Sequence, residues 1–404
     1  MQPPYLDLMR PRPTGNVLLS LDPRMDHQEQ LACVEECAHA LSLPGRTMAF
    51  TAATVGSVKM TAREQPVLLP EISVAILQPP RLQSAAASAA QLSQKAGILE
   101  ARPEFYMFAA PFDGERSVDT QASTWGLERV GAPLSAFTGA GIRIAVLDTG
   151  FDAGHPDFFG RPLTRKSFVA DGSVDDIRGH GTHCVGTALG PAGTSGRPRY
   201  GVAPDAEIYV GKVLDDAGVG AEGDILAGIA WAIETRCHVI SLSLGRPVRI
   251  GETPSLVYER LARHALEAGS LIVAAAGNDS SRAFGYIAPV SEPANAPSIL
   301  AVGALTPDDT IAAFSCGGIN PQGGEVDLVA PGEMIFSAFP MPRGYNSLSG
   351  TSMACPHVAG VAALWAQSDP SLRGRRLWDA LLASAQSLAL SRRDIGAGVV
   401  QAPV

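Results

Sequence analysis

Four polar residues interrupt apolar runs at places where a reactive group could be held. IRIAVLDTG ends its run on Asp148, LIVAAAGND runs into Asn278, GHGTHCVGTALG opens a helical pattern with His180, and SGTSMACPHVAGVAALWAQ carries Ser352 just after Gly350. A carboxylate, an amide, an imidazole and a hydroxyl are the parts of a nucleophilic hydrolase. A serine hydroxyl is a weak nucleophile until a base takes its proton. The base needs a carboxylate to fix its tautomer, and the oxyanion that develops needs hydrogen-bond donors. Pro356 follows Ser352 closely, and a helix tolerates proline only near its first turn, so a helix must begin close to the serine.

These groups need a scaffold that brings distant strand and helix ends together. IRIAVLD, EIYVGKVL, HVISLSLG, SLIVAAAGN and SILAVGA are too uniformly apolar for a sheet wetted on one face. The helical patterns between them, DILAGIAWAIETR at 224–236 and SLVYERLARHALEAG at 255–269, are the crossovers that a parallel sheet requires. The expectation is an α/β, doubly wound, mainly parallel sheet, in which ligands sit at the carboxyl ends of strands. Residues 16–108 have a different texture. NVLLSL, RTMAFTAATV, EISVAILQ and ILEARPEFYMF read as strands, and the segments at 28–41 and 82–97 as helices. The order βαββαβ predicts a small α+β ferredoxin-like domain. The turn-rich APFDGERSVDTQAS that follows reads as a linker.

The 404 residues are 46% hydrophobic and 18% charged, which excludes a disordered or fibrous chain. Forty acidic residues against 31 basic ones, with no long Lys/Arg cluster, argue against a nucleic-acid partner. The longest apolar stretches fall far short of a membrane span, so no membrane partner is expected. MQPPYLDLMRPRPTG lacks the apolar core of a secretory signal, which makes the cytoplasm the default location and leaves secretion as the alternative. Six cysteines are too sparse for a disulfide scaffold.

DTG around Asp148, GHGTH around His180, AAAGN around Asn278 and GTSMAxPHVAG around Ser352 resemble the motifs of the subtilisin-like serine peptidases, in that family's chain order. The resemblance covers roughly residues 119–385. It implies that Ser352 attacks the scissile carbonyl, that His180 is general base and then general acid, and that Asp148 orients His180. Asn278 would complete the oxyanion hole. It places Ser243, Leu244 and Gly245 on a wall that pairs with extended substrate, and Ala275, Ala276 and Gly277 beside the P1 side chain. Glu292 falls in the expected pocket floor, at 288–298, and reads as a solvated loop glutamate; pointing inward, it would favour basic P1 residues. The βαββαβ region matches the family's propeptide. The implied organisation is 1–109 as an inhibitory and chaperoning domain, 110–120 as a linker with the maturation site, and 121–404 as the peptidase domain. The partners implied are polypeptide substrates and the chain's own N-terminal domain.

No catalytic cofactor is implied. Asp157 and Gln121 resemble ligands of a structural calcium ion, but the loop that should complete that site, GPAGTSGRPRYG, has no Asn or Asp, and no metal is assigned. His180, His183 and Cys184 could also be read as metal ligands, but GHGTH is already accounted for and His183 reads as a buried helix residue. Cys184 and Cys355 should lie on helices behind the catalytic pair, and Cys33 and Cys37 share one helix face as packing residues. Two other functions use the same parts: a peptide-tailoring acyl transferase, which needs a lid against water, and a catalytically silent binding module.

Overall fold

The computed structural model describes residues 11–44, 46–51, 65–109, 112–113, 122–169, 172–193 and 196–404. The N-terminal unit runs β1 (Pro13–Leu21), α1 (His27–Ala40), β2 (Met48–Ala49), β3 (Val67–Leu69), β4 (Val74–Leu77), α2 (Ala85–Leu92) and β5 (Ile98–Phe108). Asp26 and Glu29 form a reciprocal capping box that fixes the start of α1. The strand expected over 46–55 is reduced to Met48–Ala49 among the described residues, and β3 forms the antiparallel hairpin with β4 instead. Val17, Leu19 and Leu21 pack one sheet face on α1 and α2, where Cys33 and Cys37 are both buried.

After β6 (Phe112–Asp113) and α3 (Trp125–Arg129), the larger unit alternates strands and helices. Its elements are β7 (Arg143–Asp148), β8 (Leu163–Ser167), α4 (His180–Leu189), β9 (Glu207–Lys212), β10 (Val219–Ala221), α5 (Glu222–Glu234), β11 (Val239–Leu242), α6 (Leu256–Glu267) and β12 (Leu271–Ala275). They continue with β13 (Leu300–Leu305), β14 (Leu328–Pro331), β15 (Ile335–Ala338), β16 (Tyr345–Ser349), α7 (Thr351–Ser368), α8 (Arg375–Ser384) and α9 (Arg392–Ile395). Seven strands form a parallel sheet in the order β14-β13-β12-β11-β7-β9-β8. All five sequence-read strands are in it, joined by β8 and β14. Both faces are buried, as the uniform apolar runs require. Ile144 and Val146 of β7 face the cluster that contains α4 and α7, while Ala145 and Leu147 face α5 and α6. The order reverses on either side of β7, so the crevice at the switch point opens at the carboxyl end of that strand, where Asp148 stands.

The two units share a sheet. β5 pairs antiparallel with β1 on one side and with β10 on the other, which adds a strand of the large unit to the N-terminal sheet. The second face of that sheet, with Leu18, Val74 and Ile76, packs in one apolar cluster with α5 and α6.

Candidate active site

Asp148 ends β7, and its Oδ1 lies 2.7 Å from Nδ1 of His180, the first residue of α4. Both side chains are buried. Thr149 N also donates to Asp148 Oδ1, at 2.7 Å, which fixes the carboxylate plane. The bond to Nδ1 sets the tautomer that leaves Nε2 as the basic atom. Nε2 is buried and has no hydrogen-bond partner among the described residues.

Ser352 stands in the first turn of α7. Its Oγ donates to the Ser243 carbonyl at 3.3 Å, so in this state the hydroxyl proton is held by the wall of the cleft. Pro356 cannot donate to the carbonyl four residues back, which is that of Ser352. Ser243 Oγ supplies the missing donor at 2.8 Å, so a residue of the substrate wall also anchors the nucleophile's backbone. Asn278 follows β12, and its Oδ1 accepts from both Thr351 N (2.9 Å) and Thr351 Oγ1 (2.8 Å). Those bonds turn the amide nitrogen toward the Gly350 turn, where a Cβ on Gly350 would come within 3.2 Å of Nδ2. The amide donor and the start of α7 thus meet beside Ser352, as stabilisation of an oxyanion requires.

The model of the subtilase family matches residues 139–398. The chain belongs to that family. This subtilase is 40% identical over 286 residues to subtilisin Savinase of Lederbergia lenta, covering 70% of this chain and 98% of that one. It is 39% identical over 294 residues to an alkaline protease of Alkalihalobacillus alcalophilus (72% and 71% covered) and 37% identical over 276 residues to subtilisin E of Bacillus subtilis (67% and 68%). It is a serine endopeptidase.

The cleft beside Ser352 encloses about 510 Å³. Leu244, Gly245, Ala275 and Gly277 line it, whereas Ala276 faces the opposite way into the core. Gly277 has φ +106°, and a Cβ there would lie 2.1 Å from Ser291 Oγ, so only glycine keeps this wall open. Phe108 exchanges both backbone bonds with Gly245 (2.9 and 3.1 Å), and Ala109 N donates to Gly218 O (3.0 Å), so the end of β5 lies in the cleft as an added strand. Beyond it, β6 pairs antiparallel with β16, Phe112 opposite Ser349.

The reading of Glu292 needs correction. Glu292 is neither solvated nor open to substrate: it is buried and ion-paired with Arg246 (3.1 Å) and with Arg102 of β5 (3.4 Å). Burial acts to raise its pKa, but the two guanidinium charges outweigh burial and hold it below the ordinary value. Arg102 also binds Glu222, whose carboxyl burial pushes up to about 8 against the pull of Arg102. The two arginines that bury it lie 46 and 190 residues away in the chain, and no local pattern marks them as its partners.

Asp157 does not offer its carboxylate to a cation. Its Oδ2 accepts from the Tyr200 hydroxyl (2.6 Å) and the Tyr345 hydroxyl (2.8 Å), and the Arg197 guanidinium lies 4.1 Å over the Tyr345 ring. Two donors and a neighbouring cation do not fit a calcium site. Gln121 lies outside the described residues. The carboxylate, imidazole and thiol of Asp148, His180 and Cys184 converge, but burial pushes the Cys184 thiol well up, which disfavours the thiolate that a metal needs. His183 points elsewhere, with Nε2 against Ile335 O at 2.9 Å.

Asp176 escaped the sequence reading. It accepts from Thr149 Oγ1, Gly179 N, Thr182 N and Thr182 Oγ1 at 2.7–2.9 Å and so ties the end of β7 to the start of α4. Its only signal was an acidic residue four positions before His180, which has no meaning until β7 and α4 meet.

Proposed function

We propose that this subtilase is made as a zymogen whose residues 1–109 fold as an inhibitory domain, and that residues 121–404 hydrolyse extended polypeptides through an acyl-enzyme on Ser352. The observation that carries the reading is the end of β5 lying between β10 and Gly245, beside a buried Asp148–His180 pair and Ser352. In the proposed reaction His180 Nε2 takes the proton from Ser352 Oγ as it attacks the scissile carbon, and Asp148 stabilises the imidazolium. Asn278 Nδ2 and the first N–H groups of α7 take the negative charge. The protonated His180 then gives its proton to the leaving amine, and water, deprotonated by the same nitrogen, releases the acyl group.

Ala109 is bound at Gly218 in the cleft that Ser352 also lines, and Phe112 pairs with Ser349 just before the nucleophile's turn, which supports a maturation cut within 110–120. The order β5-β1-β4-β3 supports a ferredoxin-like reading of the N-terminal unit. The tyrosine and arginine groups around Asp157 favour a chain that needs no calcium there.

The test is intact mass after incubation with a fluorophosphonate probe, comparing the parent with Ser352→Ala. One adduct on an N-terminally shortened parent, with neither change in the mutant, is expected. No adduct on either protein, even after limited proteolysis removes residues 1–118, would overturn the peptidase assignment and leave a binding module. Equal shortening in both would assign maturation to another protease.

A further inference from the structure

Where β5 crosses the starts of α5 and α6, one guanidinium is held by three groups far apart in the chain. Arg102 donates through Nη1 and Nη2 to the two oxygens of Glu222 (2.9 and 2.5 Å), and through Nη2 also to Ser255 Oγ (3.0 Å) and Glu292 Oε1 (3.4 Å). Glu222 opens α5, Ser255 immediately precedes α6, and Glu292 lies in the segment after β12. Among the described residues, every hydrogen bond that Glu222 accepts comes from β5, the remaining one from Phe105 N (2.7 Å). Glu292 keeps Arg246, which also holds Glu252 (2.7 Å). Without Arg102, the carboxylates of Glu222, Glu252 and Glu292 face the single guanidinium of Arg246. The Tyr258 hydroxyl is buried, has no hydrogen-bond partner among the described residues, and lies within electrostatic reach of Glu222, Glu292 and both arginines.

We infer that Glu222, Ser255 and Glu292 form an arginine-binding subsite of the peptidase unit, remote from Ser352, that takes an arginine of an extended polypeptide substrate once β5 has left; the inference rests on the proposed release of the N-terminal unit. While β5 is docked, the subsite is closed to any other chain. The seated strand sets the form of the ligand. Phe108 exchanges backbone bonds with Gly245, the Phe105 ring lies 4.4 Å from the Arg246 guanidinium, and Arg102 enters the cradle. A strand added at Gly245 therefore presents the residue six positions upstream to Glu222 and the residue three positions upstream to Arg246. Arginine fits the first place, because its planar fork meets both carboxylate oxygens and still reaches Ser255. An aromatic ring fits the second. Lysine brings the charge without the fork, and an apolar side chain strands Glu222 with no counter-charge.

The test uses the parent freed of its N-terminal segment by its own maturation and capped with fluorophosphonate, so that no peptide is cut. A fluorescent peptide with the sequence of residues 98–109 is titrated in and followed by anisotropy. Arg102→Met in the peptide is expected to weaken binding by at least about tenfold, and Arg102→Lys by less. Glu222→Gln in the enzyme, with probe labelling unchanged, should bring the Arg and Met peptides together. Equal binding of the two peptides, or a difference that survives Glu222→Gln, overturns the inference and leaves the peptidase intact. A parent that fails to shorten or to take the probe defeats the zymogen or the peptidase reading alone. The subsite is then read on the full chain, by titrating ethylguanidinium, with ethylurea as the neutral control, into the Arg102→Ala, Ser352→Ala double variant and following its melting temperature. A saturable rise with ethylguanidinium alone, lost on adding Glu222→Gln, supports the subsite, and no such rise overturns it.

Discussion

The proposed catalytic residues depend on neighbours that do no chemistry. Asp176 receives four short hydrogen bonds from the two segments that carry Asp148 and His180. Asp176→Ala leaves those donors buried and unpaired, and we expect a loss of about 3 kcal/mol in unfolding free energy, measured by urea titration of the Ser352→Ala chain. Removing the Asn278 amide acts differently. Asn278→Leu should keep the fold, read by circular dichroism, and slow fluorophosphonate acylation and turnover. In subtilisin itself the loss of such a donor is about 100- to 1000-fold, and the same order is expected here. The candidates Asp148, His180, Asn278 and Ser352 could be picked out in the sequence because each sits in a long motif at the end of an apolar run. Asp176 was not, because a lone aspartate in a polar loop carries no mark of the four donors that the fold brings to it. Glu292 failed for a related reason: its two arginines come from positions 46 and 190 residues away.

At the scale of elements, β5 is the joint between the two units. Glu104 accepts from Gly223 N (3.0 Å) at the start of α5, Glu100 from Val257 N (3.2 Å) at the start of α6, and Glu222 in turn accepts from Phe105 N (2.7 Å). Carboxylates at helix N-termini satisfy orphan donors and face the positive end of the dipole. Arg102 completes the joint by pairing with Glu222 and Glu292. Arg102→Met strands one carboxylate, and we expect β5 of the Ser352→Ala chain to exchange its amide hydrogens faster, with an opening free energy lower by about 3 kcal/mol. Helices α5 and α6 were readable from their periodicity, but no periodicity said that a strand more than a hundred residues earlier would cap them.

For the whole molecule, desolvated histidines are expected to set the acid limit: His183 and His357 are buried and His238 is half-buried. Burial lowers His183 to about 3, and His357 and His238 to about 4, from an ordinary 6.5. The unfolded chain binds protons there that the folded chain refuses, so their contribution is full above pH 6.5 and is lost as pH falls toward 4. Urea midpoints of the Ser352→Ala chain should therefore drop steeply between pH 6.5 and 4, with a shallower slope for His357→Gln. Chelation should do little at Asp157: EDTA is expected to leave the melting temperature within about 1 °C, since two tyrosines and an arginine occupy the surroundings of that carboxylate. The sequence by itself determined the class of sheet and the family, and singled out the candidate reactive groups, because buried parallel strands must be uniformly apolar and the four motifs are long and local. Only the tertiary structure decided which carboxylates are paired, and where β5 lies. Those outcomes depend on charges and backbone donors far apart in the chain, whose meeting is fixed by packing and leaves no local pattern.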